Sequence, residues 1–349
     1  MMRTISLYSG AGGLDLGFEL AGASVILSCE RDGHAASTLR MAFPRTPVLQ
    51  RDVQDVLGEL HQGDADILIG GPPCQGWSVA GKMDADDPRS QHVWTFLDGV
   101  KRVMPKAFVM ENVDSIAMLQ KWSGAMSDIL SRVACMGYGV HVSVLDAHDH
   151  GVPQHRRRMF VIGGRGLPSP DVAAACAASL DASRKQGGTV RDVTVRFGRA
   201  GAPGNPCTAD AIITFARNPV LRSSAYAGML FNGAGRPLRI DAPAPAMAAS
   251  AGGNKTHILD EGEAFDGIQS YVEAYHAHLR AGGASHSGLA PSRLRRLTIK
   301  EAAAIQTFPD GYPFQGPKSS VYRQVGNAVP PMLAECVGRA ALGVAGMVA

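Results

Sequence analysis

The sequence predicts an α/β fold in which a doubly wound, mostly parallel sheet is joined to a second, smaller and irregular domain. Short apolar runs alternate with longer amphipathic stretches through the first half of the 349 residues, which is typical of a parallel sheet. After Gly164 the sequence becomes rich in Gly, Pro, Ala and Ser and its periodicity weakens. With 45% hydrophobic residues, the chain can bury a large core.

Six apolar runs of the first half are predicted to be strands, and the stretches between them have the spacing of amphipathic helices. The strand-like runs are residues 5–8, 24–30, 66–71, 107–112, 140–147 and 158–164. The clearest helical stretches are residues 14–22, 34–43 and 94–104. Ligands of doubly wound sheets bind at the carboxyl ends of the strands, so the residues that follow each run are the candidate site residues.

The second domain is predicted to span residues 166–292 and to consist of irregular strands and loops, with one amphipathic helix over 263–281. Between Arg184 and Arg239, nine Lys and Arg residues stand against two Asp and Glu residues, while the whole chain has a net charge of only +3. Such a concentration is typical of a surface that binds a polyanion, although a solvated basic face would have the same composition.

Regular structure is predicted to return at residues 296–312. Thr298 and Glu301 have the spacing of a capping box, and Pro309 is expected to stop the helix that they begin. A last helix, 330–348, is opened by prolines and is apolar enough to pack against the first domain. The predicted domains are residues 1–165, 166–292 and 293–349, of which the third completes the first.

The six cysteines include no C-x-x-C pair, so the sequence indicates neither a zinc site nor a disulfide framework. The first strand-like run begins at Arg3, which leaves no room for a signal peptide, and no apolar run approaches the ~18 residues of a membrane span. We therefore expect a soluble cytoplasmic protein with reduced thiols.

Three glycines follow the first predicted strand and open the first helix, namely Gly10, Gly12 and Gly13. A tight structural turn would explain them, because their spacing is not the G-x-G-x-x-G of dinucleotide-binding proteins. Glu30 ends the second strand, Asp52 follows a third, and Asp15 is a further acid near the first. Acids at strand ends suit a nucleoside ligand that has no pyrophosphate to repel, and S-adenosylmethionine is such a ligand.

Cys74 stands at the carboxyl end of the run 66–71, directly after Pro72 and Pro73. A lone cysteine is usually a small buried hydrophobe. Here, however, the two prolines fix the backbone, and the glycine-containing residues 75–81 could form a mobile lid. A thiol in this place needs basic neighbours to react as a thiolate.

Polar residues also end the neighbouring runs. Glu111 and Asn112 end the run 107–112, where a carboxylate could act as an acid or hold a ring nitrogen, although a helix N-cap or a surface acid is the alternative. Gln154, Arg156 and Arg158 lie at the start of the last run, and the alternation of a strand places them on one face. A solvated basic patch is the alternative for the arginines.

Together these motifs resemble the bacterial cytosine-5 DNA methyltransferases, in order and over nearly the whole chain. The motifs that carry the resemblance are SGAGG (9–13), Glu30, Asp52, GPPCQGWS (71–78), ENV (111–113), QHRRR (154–158), RLTIKEAAAIQTFPD (296–310) and QVGNAVPP (324–331). Residues 166–292 are uncovered, and there the family carries its variable target-recognition region. The resemblance implies a class I methyltransferase, Rossmann-like fold, S-adenosylmethionine as methyl donor, no metal, and double-stranded DNA as partner.

The resemblance also implies roles for single residues. Cys74 matches the nucleophile that adds to carbon 6 of cytosine, and Glu111 matches the acid that contacts N3 and the exocyclic amine. Arg156 and Arg158 match arginines near the nucleophile and the base carbonyl. The positions that match the methyl-donor pocket are Tyr8, Gly10, Gly12, Gly13, Glu30, Arg31, Asp52, Val53, Pro73 and Asn327. The residues that match the closing catalytic loop are Gln75, Ser78 and Arg89.

Two positions depart from the family pattern. His92 stands where an apolar residue more often lines the adenine pocket, and Ala246-Met247 stands where a Thr-Leu pair is common. A histidine-rich turn could suggest a metal site, although the family has a similar turn without metal. Its polar residues are His148, Asp149, His150 and His155.

The function that the resemblance implies is methylation of carbon 5 of a flipped-out cytosine in a specific short duplex sequence, through a covalent Cys74 adduct. Methylation of transfer RNA would use the same chemistry, but the C-F-T signature of RNA-acting relatives is absent. A nucleic-acid-binding protein without catalysis would not need intact Cys74 and Glu111, and a nicotinamide dehydrogenase would want the strict dinucleotide spacing.

The protein is expected to act on DNA as a monomer in the bacterial cytoplasm, without contact to a membrane. A stripe of Tyr271, Tyr275 and Leu279 on the predicted helix 263–281 could support a dimer. The alternative is that this helix packs against its own small domain.

Overall fold

The computed structural model describes residues 1–73, 91–209, 211–248 and 250–349 of the chain. The strands of the first half are β1 (Arg3–Leu7), β2 (Ser24–Cys29), β3 (Val48–Leu49), β4 (Ile67–Gly70), β5 (Ala107–Val113), β6 (Tyr138–Asp146), β7 (Gln154–His155) and β8 (Arg157–Arg165). All except β7 form one sheet with the order β3-β2-β1-β4-β5-β8-β6. Only β8 runs against its neighbours within this sheet, so the predicted mostly parallel α/β class is confirmed.

Helices cover both faces of this sheet. They include α1 (Gly13–Leu20), α2 (Gly33–Ala42), α3 (Val53–Val56), α4 (His92–Val103), α5 (Ser115–Met118), α6 (Ser123–Cys135) and α7 (Ser169–Ala182). Successive residues of the central strand β4 enter different cores. Leu68 belongs to the core that contains Phe96 of α4, whereas Ile67 and Ile69 belong to the core that contains Phe18 of α1. Burial on both faces explains why these strands read as continuous apolar runs.

The second half of the chain holds shorter elements. They are α8 (Val190–Thr194), β9 (Phe215–Val220), β10 (Met229–Phe231), β11 (Ala244–Pro245), β12 (Ile258–Asp260), α9 (Glu261–Asp266), α10 (Tyr271–Arg280), β13 (Leu294–Arg296), α11 (Ile299–Ile305), α12 (Lys318–Asn327) and α13 (Pro331–Met347). One hydrophobic cluster joins α8 to α11 and α12, and another joins β9 and β10 to α10. The predicted domain boundaries stay a prediction.

Two predictions for the region 166–292 are wrong in detail. The helix α7 occupies a stretch that was expected to be irregular, and its Val172, Cys176 and Leu180 pack in the same core as α13. The predicted single helix 263–281 is two helices. Gly267 adopts φ 65°, which ends α9, and the Ser270 hydroxyl caps α10 by accepting from the Glu273 backbone N–H.

The buried side of α10 also bears on self-association. Tyr275 and Leu279 lie in the cluster that this helix forms with β9 and β10, and Val272 joins them there. Tyr271 is only partly buried against the same cluster. The helix therefore packs against β9 and β10 of the same chain, and the oligomeric state stays a prediction.

The returning segment follows the prediction more closely. Thr298 and Glu301 form the capping box of α11, although the helix ends at Ile305, because Thr307 adopts φ 62° before Pro309 is reached. The helix α13 packs against α1, α7 and β5. No membrane span was expected from the sequence, but Lys318–Met347 is long and apolar enough to cross a membrane. This stretch comprises the two helices α12 and α13, and 67% of its most apolar window is buried inside the protein.

Candidate active site

The turn after β1 has a backbone that mostly glycine can adopt. Tyr8, Gly10 and Gly12 have φ values of 58°, 57° and 82°. A Cβ at Gly10 would meet nothing within 4 Å, so this backbone faces open space, whereas a Cβ at Gly12 would collide with Phe43. Gly12 therefore permits close packing beneath the turn, and Gly10 leaves room for a ligand above it.

A cavity of about 300 Å³ lies at the carboxyl ends of the parallel strands. Its wall contains all the predicted methyl-donor residues except Gly12, together with three of the predicted catalytic residues. The residues brought together are Tyr8, Gly10, Gly13, Glu30, Arg31, Asp52, Val53, Pro73, Asn327, Glu111, Arg156 and Arg158. Side chains from both ends of the chain thus meet where a doubly wound sheet binds its ligands.

Two carboxylates form the acidic part of this wall. Glu30 accepts hydrogen bonds from the backbone N–H of Gly10 at 2.8 Å and of Asp32 at 2.7 Å, and burial raises the pKa of its carboxyl. Asp52 caps α3 and pairs with Arg31, whose Nη1 lies 3.2 Å from Asp52 Oδ2. Each carboxylate retains acceptor capacity for hydroxyl or amino groups of a ligand.

Tyr8 and His92 form a polar pair in the same wall. The Tyr8 hydroxyl lies 3.1 Å from Nδ1 of His92, and the two rings meet edge to face. The pKa of His92 is lowered, mainly by burial. The negative charge of Asp52 opposes this shift, and the positive charge of Arg31 adds to it. The departure from an apolar residue at position 92 thus places a titratable ring in the cavity wall.

Glu111 and Arg158 form an ion pair on neighbouring strands β5 and β8. Arg158 Nε lies 3.0 Å from Glu111 Oε1, and both side chains are largely buried. Burial raises the pKa of the Glu111 carboxyl above its ordinary value, while the positive charges of Arg158 and Arg156 lower it. Because burial outweighs the arginines, this carboxyl holds a proton more readily than an exposed glutamate does.

The side chains of Gln154 and Arg156 point inward, and those of His155 and Arg157 are exposed, as the alternation predicts. Arg156 donates to the backbone carbonyls of Met247 and Gly326, each at 3.0 Å. Its guanidinium therefore anchors backbone as well as lining the cavity.

A side chain of β5 also bonds the backbone two residues before the predicted nucleophile, Cys74. Asn112 Nδ2 donates to the carbonyl of Pro72 at 3.2 Å. Cys74, Gln75, Ser78 and Arg89 lie outside the described residues, so their roles stay predictions. Pro72 and Pro73, which precede them, are in the cavity wall.

Comparison with known proteins identifies the family. The model of the family described as C-5 cytosine-specific DNA methylase matches residues 2–342. The type II methyltransferase M1.HphI of Haemophilus parahaemolyticus is 32% identical over 97% of this chain and 86% of its own length. The type II methyltransferase M.NgoPII of Neisseria gonorrhoeae is 30% identical over 95% and 93%.

The chain belongs to the C-5 cytosine-specific DNA methylase family.

It is thus a DNA (cytosine-5-)-methyltransferase, and the family implies S-adenosylmethionine as methyl donor and DNA as substrate. Its fold is also that of solved relatives. The structure of a triple mutant of DNMT2 from Spodoptera frugiperda is similar over 98% of this chain and 100% of that one, with a TM-score of 0.66 and 15% identity. Dnmt2 of S. pombe has a TM-score of 0.63 at 16% identity over 97% and 96%.

Two residues expected at the cavity of this methylase lie elsewhere. Asp15 is fully buried below the turn, where it accepts hydrogen bonds from the hydroxyls of Ser6 and Ser28, and burial raises its pKa to about 6. It is a helix residue, so its side chain points back toward the sheet and not into the cavity. Gly12 caps α1 beneath the cavity.

The histidine-rich turn of the methylase makes ordinary polar contacts. His155 Nδ1 lies 2.9 Å from Asp146 Oδ2, and His148 Nδ1 lies 3.3 Å from the carbonyl of Val152. Within the described parts of the chain, no three His, Cys, Asp or Glu residues are grouped so as to hold a metal ion.

Several wall residues of the methylase were not assigned from the sequence. Arg323 and Gln324 line the cavity, and Arg323 pairs with Asp32 at 2.9 Å. Gln324 begins the motif QVGNAVPP, so its position beside Asn327 was the available signal. No sequence signal indicated Arg323, because a single arginine before a motif is common.

Proposed function

We propose that this enzyme methylates carbon 5 of a cytosine that is flipped out of a specific short duplex sequence, through a transient covalent bond to Cys74. The observation that carries the proposal is one cavity that joins the Glu111–Arg158 pair to the carboxylates of Glu30 and Asp52. A base inside a duplex could not reach such a cavity, so the cytosine must leave the stack.

The cavity fits S-adenosylmethionine, which supplies an electrophilic methyl group on a sulfonium. Glu30 and Asp52 offer acceptors for ribose hydroxyls and an adenine amine, and their negative charge favours a cationic ligand. Open space above Gly10 lets the ligand approach the backbone closely.

Cys74 and Glu111 have different roles in the proposed reaction. The Cys74 thiolate adds to carbon 6, while protonated Glu111 donates its proton to N3, so that the base becomes an enamine. Carbon 5 of this enamine then attacks the methyl group, and the bond between the methyl carbon and the sulfonium sulfur breaks, which leaves a neutral thioether. A base removes the proton of carbon 5, the electron pair re-forms the double bond between carbons 5 and 6, and the thiolate leaves carbon 6. N3 returns its proton to the Glu111 carboxylate, which restores the acid.

Arg158 has two tasks in this proposal. Its contact at 3.0 Å fixes the Glu111 carboxyl toward the ring, and its remaining N–H groups can donate to the carbonyl of the base. Arg156 acts beside it by holding the backbone that borders the cavity.

Duplex DNA would be held by the basic stretch between Arg184 and Arg239, with phosphate contacts for position and base contacts for sequence. We expect residues 166–292 to contain the target-recognition region. We further expect the enzyme to act as a monomer in the bacterial cytoplasm, and Gln75, Ser78 and Arg89 to close over the flipped base.

Bisulfite sequencing of DNA from a host that expresses the chain tests the proposal directly. Protected cytosines are expected at one recurrent short sequence and are expected to be absent from a host with an empty vector. Transfer of tritiated methyl groups to duplex DNA and to transfer RNA in vitro provides the second arm. If only transfer RNA becomes labelled, the substrate is RNA and the proposed methylation of DNA is wrong.

Acidification is expected to weaken binding of S-adenosylmethionine by about fivefold in the wild type and less in His92→Leu. Because burial lowers the pKa of His92, its ring is neutral at neutral pH and gains a charge only below its ordinary pKa of about 6.5, where it would repel the sulfonium. Titration calorimetry over this pH range measures the effect. His141→Leu is the matched control, since His141 is half-buried on β6 away from the cavity wall.

An equal loss of affinity in His92→Leu would contradict this expectation. The pH dependence would then belong to the carboxylate of Glu30, whose pKa is raised by burial and whose protonation also removes attraction for the sulfonium. The Tyr8 hydroxyl faces His92 and does not titrate in this range, because burial raises its pKa further above its ordinary value.

A further inference from the structure

A closed network of buried hydrogen bonds surrounds the segment 325–328. Gln306 Nε2 donates to the carbonyls of Val325 at 2.6 Å and Ala328 at 3.4 Å. Gln306 Oε1 accepts from Gln154 Nε2 at 2.9 Å, and Gln154 Oε1 accepts from the Met247 N–H at 2.9 Å. Arg156 closes the network, because it donates both to the carbonyl of Met247 and to the carbonyls of Gly326 and Asn327.

Each amide in this network has only one workable orientation. The Met247 N–H can only donate, so the oxygen of Gln154 must face it and its nitrogen must face Gln306. The oxygen of Gln306 then accepts, and its nitrogen faces the carbonyl of Val325. Both glutamine side chains are fully buried, so a rotated amide would leave buried polar groups unpaired.

The network joins two parts of the protein with different proposed tasks. Residues 326–328 form one wall of the methyl-donor cavity. Met247 lies in the proposed target-recognition region, beside β11, which pairs with β7 through Ala244 and Gln154. A movement of Met247 away from β7 would break its bonds to Gln154 and Arg156 together. Arg156, which bonds the cavity wall directly, and Gln154, which bonds it through Gln306, would then each lose one partner.

We propose that Gln306 and Gln154 are positioning residues that couple binding of the methyl donor to binding of DNA. The inference rests on the proposed function, because it assumes that the donor occupies the cavity and that DNA contacts the region of Met247. A ligand that orders one side of the network lowers the cost of ordering the other side. The coupling is reciprocal, so each ligand strengthens binding of the other by the same factor.

The test uses the full chain and S-adenosylhomocysteine, the donor without its methyl group. Fluorescence anisotropy gives the dissociation constant of an unmethylated duplex that carries the target sequence found by bisulfite sequencing, with and without S-adenosylhomocysteine. The wild type is expected to bind DNA at least about fivefold more tightly with it, within the usual range of coupling. In Gln306→Met the ratio is expected to fall close to one. Gln315→Met is the matched control, because the side-chain amide of Gln315 donates to the nearby carbonyl of Pro313 and Gln315 lies outside the network and the cavity wall.

A second variant distinguishes positioning from general stability. In Gln306→Glu, an ionised carboxylate accepts from Gln154 but cannot donate to Val325, so the coupling is expected to be lost. It should recover as the pH is lowered, because a protonated carboxyl can donate again. A purely structural role would lower both affinities without changing their ratio, and that result would overturn the proposal. If Gln306→Met does not fold, Gln154→Met provides the same comparison.

The proposal and the function on which it rests fail differently. Wild-type protein that binds no S-adenosylhomocysteine would refute the assigned donor cavity. Wild-type protein that binds both ligands independently, with a ratio of one, would refute the coupling and leave the proposed function standing.

Discussion

Replacing Cys74 with serine is expected to lower the rate of methyl transfer by about 10³-fold or more, because a serine hydroxyl does not ionise near neutral pH and adds poorly to carbon 6. Initial rates with tritiated S-adenosylmethionine measure the loss. A duplex with 5-fluorocytosine at the target position provides the second measurement. Fluorine at carbon 5 cannot leave as a proton does, so the wild type should remain covalently attached in a denaturing gel, and Cys74→Ser should not.

The control for this result is Cys135→Ser. Cys135 is an exposed thiol on α6, and its replacement should leave both the rate and the trapped adduct unchanged. Cys74→Ser should still bind duplex DNA, since the change only replaces the sulfur of the proposed nucleophile with oxygen. A trapped adduct that survives in Cys74→Ser would assign the covalent step to another residue.

Glu111→Gln is expected to lower the turnover number by about 10²- to 10⁴-fold, because an amide can hydrogen-bond N3 but cannot give it a proton. The loss should fall on turnover more than on DNA affinity. Single-turnover rates with saturating DNA and methyl donor measure it. The shape of the variant is nearly that of the wild type, so its melting temperature should confirm that the fold remains.

The pH profile makes this prediction sharper. Burial raises the pKa of Glu111, and the proposed acid is the protonated form, so wild-type turnover should fall as the pH rises through that raised pKa. Glu111→Gln should lack this decline. Glu335→Gln is the matched control, because Glu335 pairs with Arg339 on the surface of α13. The same decline in Glu111→Gln would assign the proton donor elsewhere.

Much of the fold could be predicted because the central strands are buried on both faces. Such strands are apolar throughout, and their limits in the structure agree with the sequence to within a few residues. The helix α7 was missed although Val172, Cys176 and Leu180 recur every four residues, because the alanines and the serine between them dilute the pattern. The break between α9 and α10 depended on Gly267 adopting a left-handed conformation, and a glycine inside an amphipathic pattern does not reveal this by itself.

The wall of the active site could be predicted where chemistry coincides with the end of a strand. Glu30, Asp52 and Glu111 satisfy that rule, whereas Asp15 is near a strand end in sequence but is turned inward by its helix. The network of Gln154 and Gln306 could not be predicted in this way. These two residues are separated by 152 positions, and no local pattern indicates that two glutamines so far apart meet in the interior.

During synthesis on the ribosome, one face of the central sheet lacks part of its cover until α13 emerges, because α1 and α7 cover only the rest of it. The strand β8 is complete at Arg165 and α13 begins at Pro331, so at common translation speeds this part of the face stays exposed for on the order of ten seconds. We expect chaperones that capture apolar strands to compete for this face during that interval. A nascent chain halted before Asn327 also lacks one side of the cavity, so we expect an interrupted product to bind the methyl donor poorly.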